Sequence, residues 1–115
     1  MVYEWNDEFK INEWNAYILN DGTAPIALVF IVSKGFLDDT KTTTMRHRME
    51  ALAAKSFQKL EFVQQEVLDL TNEFFVTYYL KAKLYEKRFI FKKASVSEEN
   101  LTQIPLLDKV GILAN

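Results

Sequence analysis

The stretch TTTMRHRMEALAAKSFQKLEFVQQEVLDLT, residues 42–71, decides how the rest of the chain is read. Within it Met45, Met49, Leu52, Leu60, Val63, Val67 and Leu70 recur at steps of three, four and eight. At about 100° per residue all seven fall within about 80° of arc on a helix. Read as a strand, residues 60–70 would put Gln64 and Glu66 on the same face as Leu60 and Phe62. The spacing therefore predicts one long amphipathic helix. Thr40, Thr42, Thr43 and Thr44 are its candidate N-caps, Asp38 and Asp39 lie upstream where the dipole favours anions, and Asn72 follows as C′ residue. A helix of about 30 residues is about 45 Å long, and a compact domain of this size is about 35 Å across. The helix must protrude, bend or break near Ser56–Lys59.

Upstream, the β-branched run Ile26-Ala27-Leu28-Val29-Phe30-Ile31-Val32 reads as a strand buried on both faces, with Pro25 at its start. The segment 7–19 has two readings. Ile11, Trp14 and Ile18 recur at helical spacing after Asn6 or Asp7 as cap, which favours a helix. Trp14, Ala16 and Ile18 also alternate into Asn20-Asp21-Gly22, a hairpin signal. Downstream, Val76, Tyr78, Leu80, Ala82 and Leu84 alternate with Thr77, Tyr79, Lys81, Lys83 and Tyr85, and Arg88-Phe89-Ile90-Phe91-Lys92 follows, so a hairpin turning at Glu86-Lys87 is expected, with Leu84 opposite Phe89 and Ala82 opposite Phe91. Ser97-Glu98-Glu99 opens a short helix, and Pro105 begins a second turn that Gly111 ends.

These elements define an α+β fold: one long helix packed on a small sheet of three or more strands, including a hairpin in the C-terminal half. Residues 1–115 fit a single domain. With 49% hydrophobic residues, nine Phe, five Tyr and two Trp, the core needs no disulfide. The chain has no cysteine, which excludes thiolate metal sites and thiol nucleophiles. The start Met1-Val2-Tyr3-Glu4-Trp5 has no signal-peptide pattern, and the apolar run 24–32 is about half of a bilayer span. A cytoplasmic protein without a membrane segment is expected, so the sequon at Asn100-Leu101-Thr102 is a chance match.

Charge is uneven although the net value is −2. Residues 1–40 hold seven acids and two bases, a balance of −5, while residues 71–93 hold two acids and six bases, a balance of +4. One hairpin face gathers Tyr79, Lys81, Lys83, Tyr85, Arg88, Ile90 and Lys92. Aromatic platforms among cations suit single-stranded nucleic acid, though the glycine and aromatic signature of a known RNA-binding sheet is missing.

No catalytic or metal pattern stands out. His47 is the only histidine and reads as a solvated helix residue. The pairs Asp38-Asp39 and Glu98-Glu99 lack calcium-loop spacing and suit helix N-termini. Ser33, Lys34, Gly35, Lys41 and the threonine run, followed by Arg46 and Arg48, could hold an anion at the long helix's start, but this is no phosphate loop. Neither cofactor nor metal is expected. The function that follows is non-catalytic: an interaction or assembly module, with itself as a homodimer or with another protein, through Leu60, Val63, Val67 and Leu70. The alternatives are single-stranded nucleic-acid binding through Tyr79, Lys81, Lys83, Tyr85, Arg88 and Lys92, and small-molecule binding in an apolar pocket between sheet and helix.

Overall fold

The computed structural model describes residues 1–42 and 44–114, and two strands stand where the long helix is expected. In chain order the strands are β1 (Val2–Asn6), β2 (Ile11–Asn20), β3 (Ile26–Leu37), β4 (Thr40–Lys41), β5 (Met45–Leu52), β6 (Ser56–Val63), β7 (Thr71–Leu80), β8 (Lys83–Phe91), β9 (Thr102–Gln103) and β10 (Val110–Gly111). Helical structure is confined to α1 (Gln65–Leu68) and a 3₁₀ turn at Glu98–Asn100. The structure is 60% strand and 6% helical, with no helix of seven residues or more among the described residues, so the α+β assignment is corrected to nearly all β.

Why the helical pattern misleads can be read from the pairing. In β5 the half-buried His47 and Met49 alternate with exposed Arg46, Arg48 and Glu50, a period of two. Residues four apart share a face in a strand and in a helix alike. Two of the steps of three come from bulges, and the third, Val67 to Leu70, lies at α1. β3 bulges at Leu28, which sits in the left-handed region at φ 48°. The inward Ile26 pairs with Leu52 and the inward Val29 with Met49, so both strands show a three-residue step. The β2–β6 register shifts between Ala16 and Tyr17, leaving Leu60 as an extra residue, and so Leu60 and Val63 both pack on the core. Bulges of this kind reproduce the spacing of a helix. The break falls just before Ser56, at Lys55 with φ 53°. Of the candidate caps, Thr43 lies outside the described residues; Asn72 does close α1, its Nδ2 donating to the carbonyls of Val67 and Leu70 at 2.8 and 3.2 Å.

Residues 7–19 are not a helix either. β1 and β2 form a hairpin with Glu4 opposite Glu13 and Asn6 opposite Ile11. Asn6 caps a turn rather than a helix: its Oδ1 accepts from the backbone of Glu8 and Phe9 at 2.9 and 3.2 Å. Asn20-Asp21-Gly22 in turn does not close a hairpin but carries the chain from one sheet to the other. Asn20 holds that crossing, accepting from Gly22 N–H and donating to the carbonyls of Ala24, Leu52 and Ala53.

Two antiparallel sheets result. The first runs β6-β2-β1-β10-β9; in the second β3 is central, with β4 and β5 along one edge and β7 then β8 on the other. β5 and β6 follow one another and lie in different sheets, which joins the sheets along one side. Val29, Ile31, Trp14, Ala16, Leu52, Val63, Phe74, Val76 and Phe91 fill the space between them. The extents of 38 × 35 × 25 Å leave no room for a straight 45 Å helix. The expectation that 26–32 is buried on both faces is also corrected: Phe30 is 47% exposed on the outer face, with the Arg48 guanidinium 5.8 Å above its ring.

A C-terminal hairpin is present, but its turn cuts through the strand expected from Val76 to Tyr85. β7 and β8 pair from Asn72–Phe91 to Leu80–Lys83, so Lys81 and Ala82 form the turn, at φ 50° and 64°. Two positive φ values define a type I′ turn, which favours Asn and Gly; neither residue here announces it. Ala82→Gly is expected to raise stability by about 1 kcal/mol, because glycine occupies the left-handed region without a Cβ clash. Urea titration of the two proteins checks this. The C-terminal segment, with β9 and β10, covers the outer face of the first sheet, where Ile104 and Leu107 bury Val2 in a second small core. Gly111 thus lies in a strand, not at the end of a turn.

Candidate functional site

The inward face of β8 reads Lys83, Tyr85, Lys87, Phe89, Phe91, and that of β7 reads Leu80, Tyr78, Val76, Phe74. Along β8 the polarity therefore falls from the turn at Lys81–Ala82 towards the core, while β7 is largely apolar throughout. The reason lies in the other sheet. β1 pairs with β2 only from Ile11 to Asn15, so residues 16–20 of β2 have no strand on that side among the described residues. β8 likewise pairs only with β7. Between these two open edges the sheets are not sealed, and a cleft runs into the sandwich.

Its outer part has a volume of about 660 Å³ and is walled by Ile18, the loop from Asn20 to Ile26, and the β7–β8 hairpin. The inner part, about 340 Å³, lies among Ala16, Ile31, Leu60, Phe74, Phe91 and Met1. Ile18, Leu19, Asp21, Val76 and Phe89 line both parts, so the two adjoin. Tyr78 and Tyr85 stack in the outer wall, centroids 5.6 Å apart and planes at 14°. Phe74 and Phe91 meet edge-on at 6.0 Å in the inner one. Stacked rings of this sort are rigid, apolar walls with a polar tip. The Met1 amine donates to the Ile112 carbonyl at 3.0 Å, and burial pushes it down to about 5. Near neutral pH the inner part therefore holds no charge from that amine.

Lys81, Lys83 and Lys87 stand at the mouth. Among the described residues none of the three has an ion pair, and the Lys83 ammonium lies 5.5 Å from the Tyr85 ring centroid. The one acid of the mouth, Asp21, is bound by Lys55 at 3.1 Å.

The residues singled out from sequence are distributed differently. Tyr79, Arg88 and Ile90 lie on the outer face of the second sheet, while Lys83 and Tyr85 face the cleft; Lys81 is in the turn and Lys92 follows the end of β8. The six nucleic-acid candidates thus do not share one surface, and Arg88 is paired with Glu73. Of the assembly candidates, Val63 is 5% exposed between the sheets, and Leu60 and Val67 pack against the same core. Leu70 is half-buried beside β7. No helical stripe joins these four. The anion-loop candidates are separated too, since Arg46 and Arg48 lie on the outer face of β5, and Thr42 Oγ1 accepts from Gly35 N–H at 2.7 Å.

His47 is not a solvated helix residue. Its Nε2 lies 3.0 Å from Glu61 Oε1, and Ser33 Oγ donates to the same oxygen at 2.7 Å. The carboxylate sits between the other two, so the serine lacks the imidazole contact that would activate it as a nucleophile. The trio instead ties β3, β5 and β6 together. No group of three or more His, Cys, Asp or Glu is placed to hold a metal among the described residues.

A polar cluster that sequence reading missed lies under the C-terminal segment. Glu4 Oε2 accepts from Asn15 Nδ2 at 2.7 Å and Tyr17 Oη at 2.8 Å, and its Oε1 meets Lys109. Burial alone would raise this carboxyl, but the bonds from Lys109, Tyr17 and Asn15 outweigh it and hold the group below its ordinary value. Burial, and then the bond to Glu4, pushes the Tyr17 phenol up to about 12. A depressed carboxyl stabilises the fold above its unfolded value of 4.5, and that contribution is lost as pH falls through the folded value. Glu4→Gln should cost about 2 kcal/mol at pH 7 and much less well below pH 4, which urea titrations at the two pH values measure.

Two sheets packed face to face, with an open apolar cleft on one side and a basic mouth, define this protein as a β-sandwich with a ligand-sized cleft. No protein-family model, curated protein or solved structure matches the chain. No helix among the described residues is long and apolar enough to cross a membrane.

Proposed function

We propose that this protein is a non-catalytic binding module that takes a small, largely apolar molecule into the cleft between its sheets. The observation that carries this reading is that two adjoining hollows lie between the Lys81–Ala82 turn and the core, with Ile18, Leu19, Asp21, Val76 and Phe89 in the walls of both. Each part has a volume within the range of about 300–1,000 Å³ usual for ligand sites. The lining is aliphatic and aromatic with a few polar groups at one end, the common composition of such sites. The cleft is walled by paired strands rather than by a loose surface: residues 17–20 of β2 are held by β6, and β8 is held by β7.

The test uses an uncharged fluorescent apolar probe, N-phenyl-1-naphthylamine. It should bind saturably with one site per chain and be displaced by 1-decanol. Phe89→Asp puts a carboxylate at the junction of the two parts, on a side chain that is 36% exposed, so the fold should survive. A loss of affinity of at least tenfold is expected, since the ligand would then meet a desolvated charge. Probe binding that Phe89→Asp leaves unchanged would place the ligand elsewhere and defeat the reading.

A further inference from the structure

We infer that the ligand is a single-chain amphiphile with an anionic head, its tail lying in the inner cleft and its head among Lys81, Lys83 and Lys87. This rests on the cleft being the binding site and adds the chemistry of what enters it. The order of side chains along β8 supplies the argument. Inward residues change from Lys83 through Tyr85 and Lys87 to Phe89 and Phe91, so one strand grades from cationic to apolar over the length of the cleft. An uncharged ligand would gain nothing from three ammonium groups at the mouth. A cationic one would be repelled by them.

Charge complementarity fixes the sign of the head. The three lysines have no carboxylate partner among the described residues, and unlike Lys41, Lys92 and Lys93, which have none either, they line one cleft; Lys10, Lys34, Lys55, Lys59 and Lys109 all pair with acids. The mouth's own acid, Asp21, is already held by Lys55. Lysine is a flexible point charge rather than a planar fork, so the site selects an anion without demanding one head geometry. The narrow inner part, about 340 Å³ and bounded by Ile31, Phe74, Phe91 and Leu60, suits one alkyl chain. Tyr78 and Tyr85 form the shoulder where head and tail meet, their rings apolar and their hydroxyls polar. The committed occupant is therefore a free alkyl carboxylate in solution.

Calorimetric titration with octanoate, decanoate, 1-decanol and decyltrimethylammonium tests this, each below its micellar concentration. Decanoate should bind one per chain and about fifteenfold more tightly than octanoate, at about fourfold per buried methylene. It should exceed 1-decanol about tenfold, the sum of three exposed charge contacts, and that margin should shrink as salt screens them. In the triple variant K81Q/K83Q/K87Q decanoate should fall to the affinity of 1-decanol, with 1-decanol binding unchanged, which also shows that the variant is folded. Equal binding of decanoate and 1-decanol, preference for the cationic amphiphile, or an unaltered decanoate affinity in the triple variant would overturn the anionic head and leave the cleft reading standing. No binding of 1-decanol or decanoate would overturn both.

Discussion

Val29→Asp is expected to leave no folded protein at room temperature. Val29 is fully buried, paired with Met49 of β5 on the central strand of the second sheet. The positions around it that face the core, Ile31, Leu52 and Val76, are also buried and apolar. A carboxylate there would have no cation or donor within its sheet sandwich. An unpaired buried charge costs several kcal/mol even after relaxation, against a total of about 5–15 kcal/mol for a domain. The neighbouring Leu28→Asp makes the comparison sharp. Leu28 sits on the bulge, 41% exposed, and its substitution should shift the urea midpoint little. Circular dichroism and urea titration of both variants would measure the contrast. Equal midpoints would mean that β3 does not alternate as described.

Gly111→Ala is expected to undo the pairing of β10 with β1. A Cβ at residue 111 would stand 2.1 Å from the Met1 carbonyl oxygen and 3.0 Å from Val2 Cα. Those atoms are backbone, so no flexible side chain can yield; either strand must shift. Gly111 pairs with Val2, and Ile112 N–H donates to the same Met1 carbonyl at 2.8 Å. The segment that carries Ile104 and Leu107 over Val2 is fixed by this contact and by the β9–β10 pair. Overpacking usually costs about 1–3 kcal/mol, and a clash with main chain belongs at or above the upper end. Hydrogen exchange should show early loss of protection at Val2 and at residues 102–112, while β3 and β7 exchange as before. Wild-type protection throughout would mean that β10 does not lie against β1 as described. Glycine's lack of a side chain, not its freedom in φ, is what the position requires.

The candidate site was partly legible. The alternation of Tyr78, Leu80 and Val76 was read correctly, but the turn was placed at Glu86-Lys87 because Lys81-Ala82 has no residue that favours positive φ. Moving the turn by five residues changes which side chains face inward. Lys83 and Tyr85 then line a cleft, and the face expected to bind nucleic acid divides between two sides of a sheet. Glu61, Ser33 and His47 come from three strands, and no local spacing links them. The Glu4 cluster likewise needs Lys109 from the far end of the chain.

What the sequence by itself determined is composition and local chemistry. Without cysteine there is no disulfide or thiolate chemistry, the run 26–32 is a strand, and a basic hairpin lies in the C-terminal half. The tertiary structure alone decided that residues 45–63 are two strands. Spacing of three and four residues is a helical signal only when the ladder is regular, and here a bulge at Leu28 and another at Leu60 produce the same steps in extended chain. A bulge is fixed by the neighbouring strand, β7 beside β3 and β2 beside β6, and those neighbours are far away in sequence. The cleft has the same origin: it lies between the β7–β8 hairpin and residues 16–20 of β2, which are brought together only by the packing of one sheet on the other.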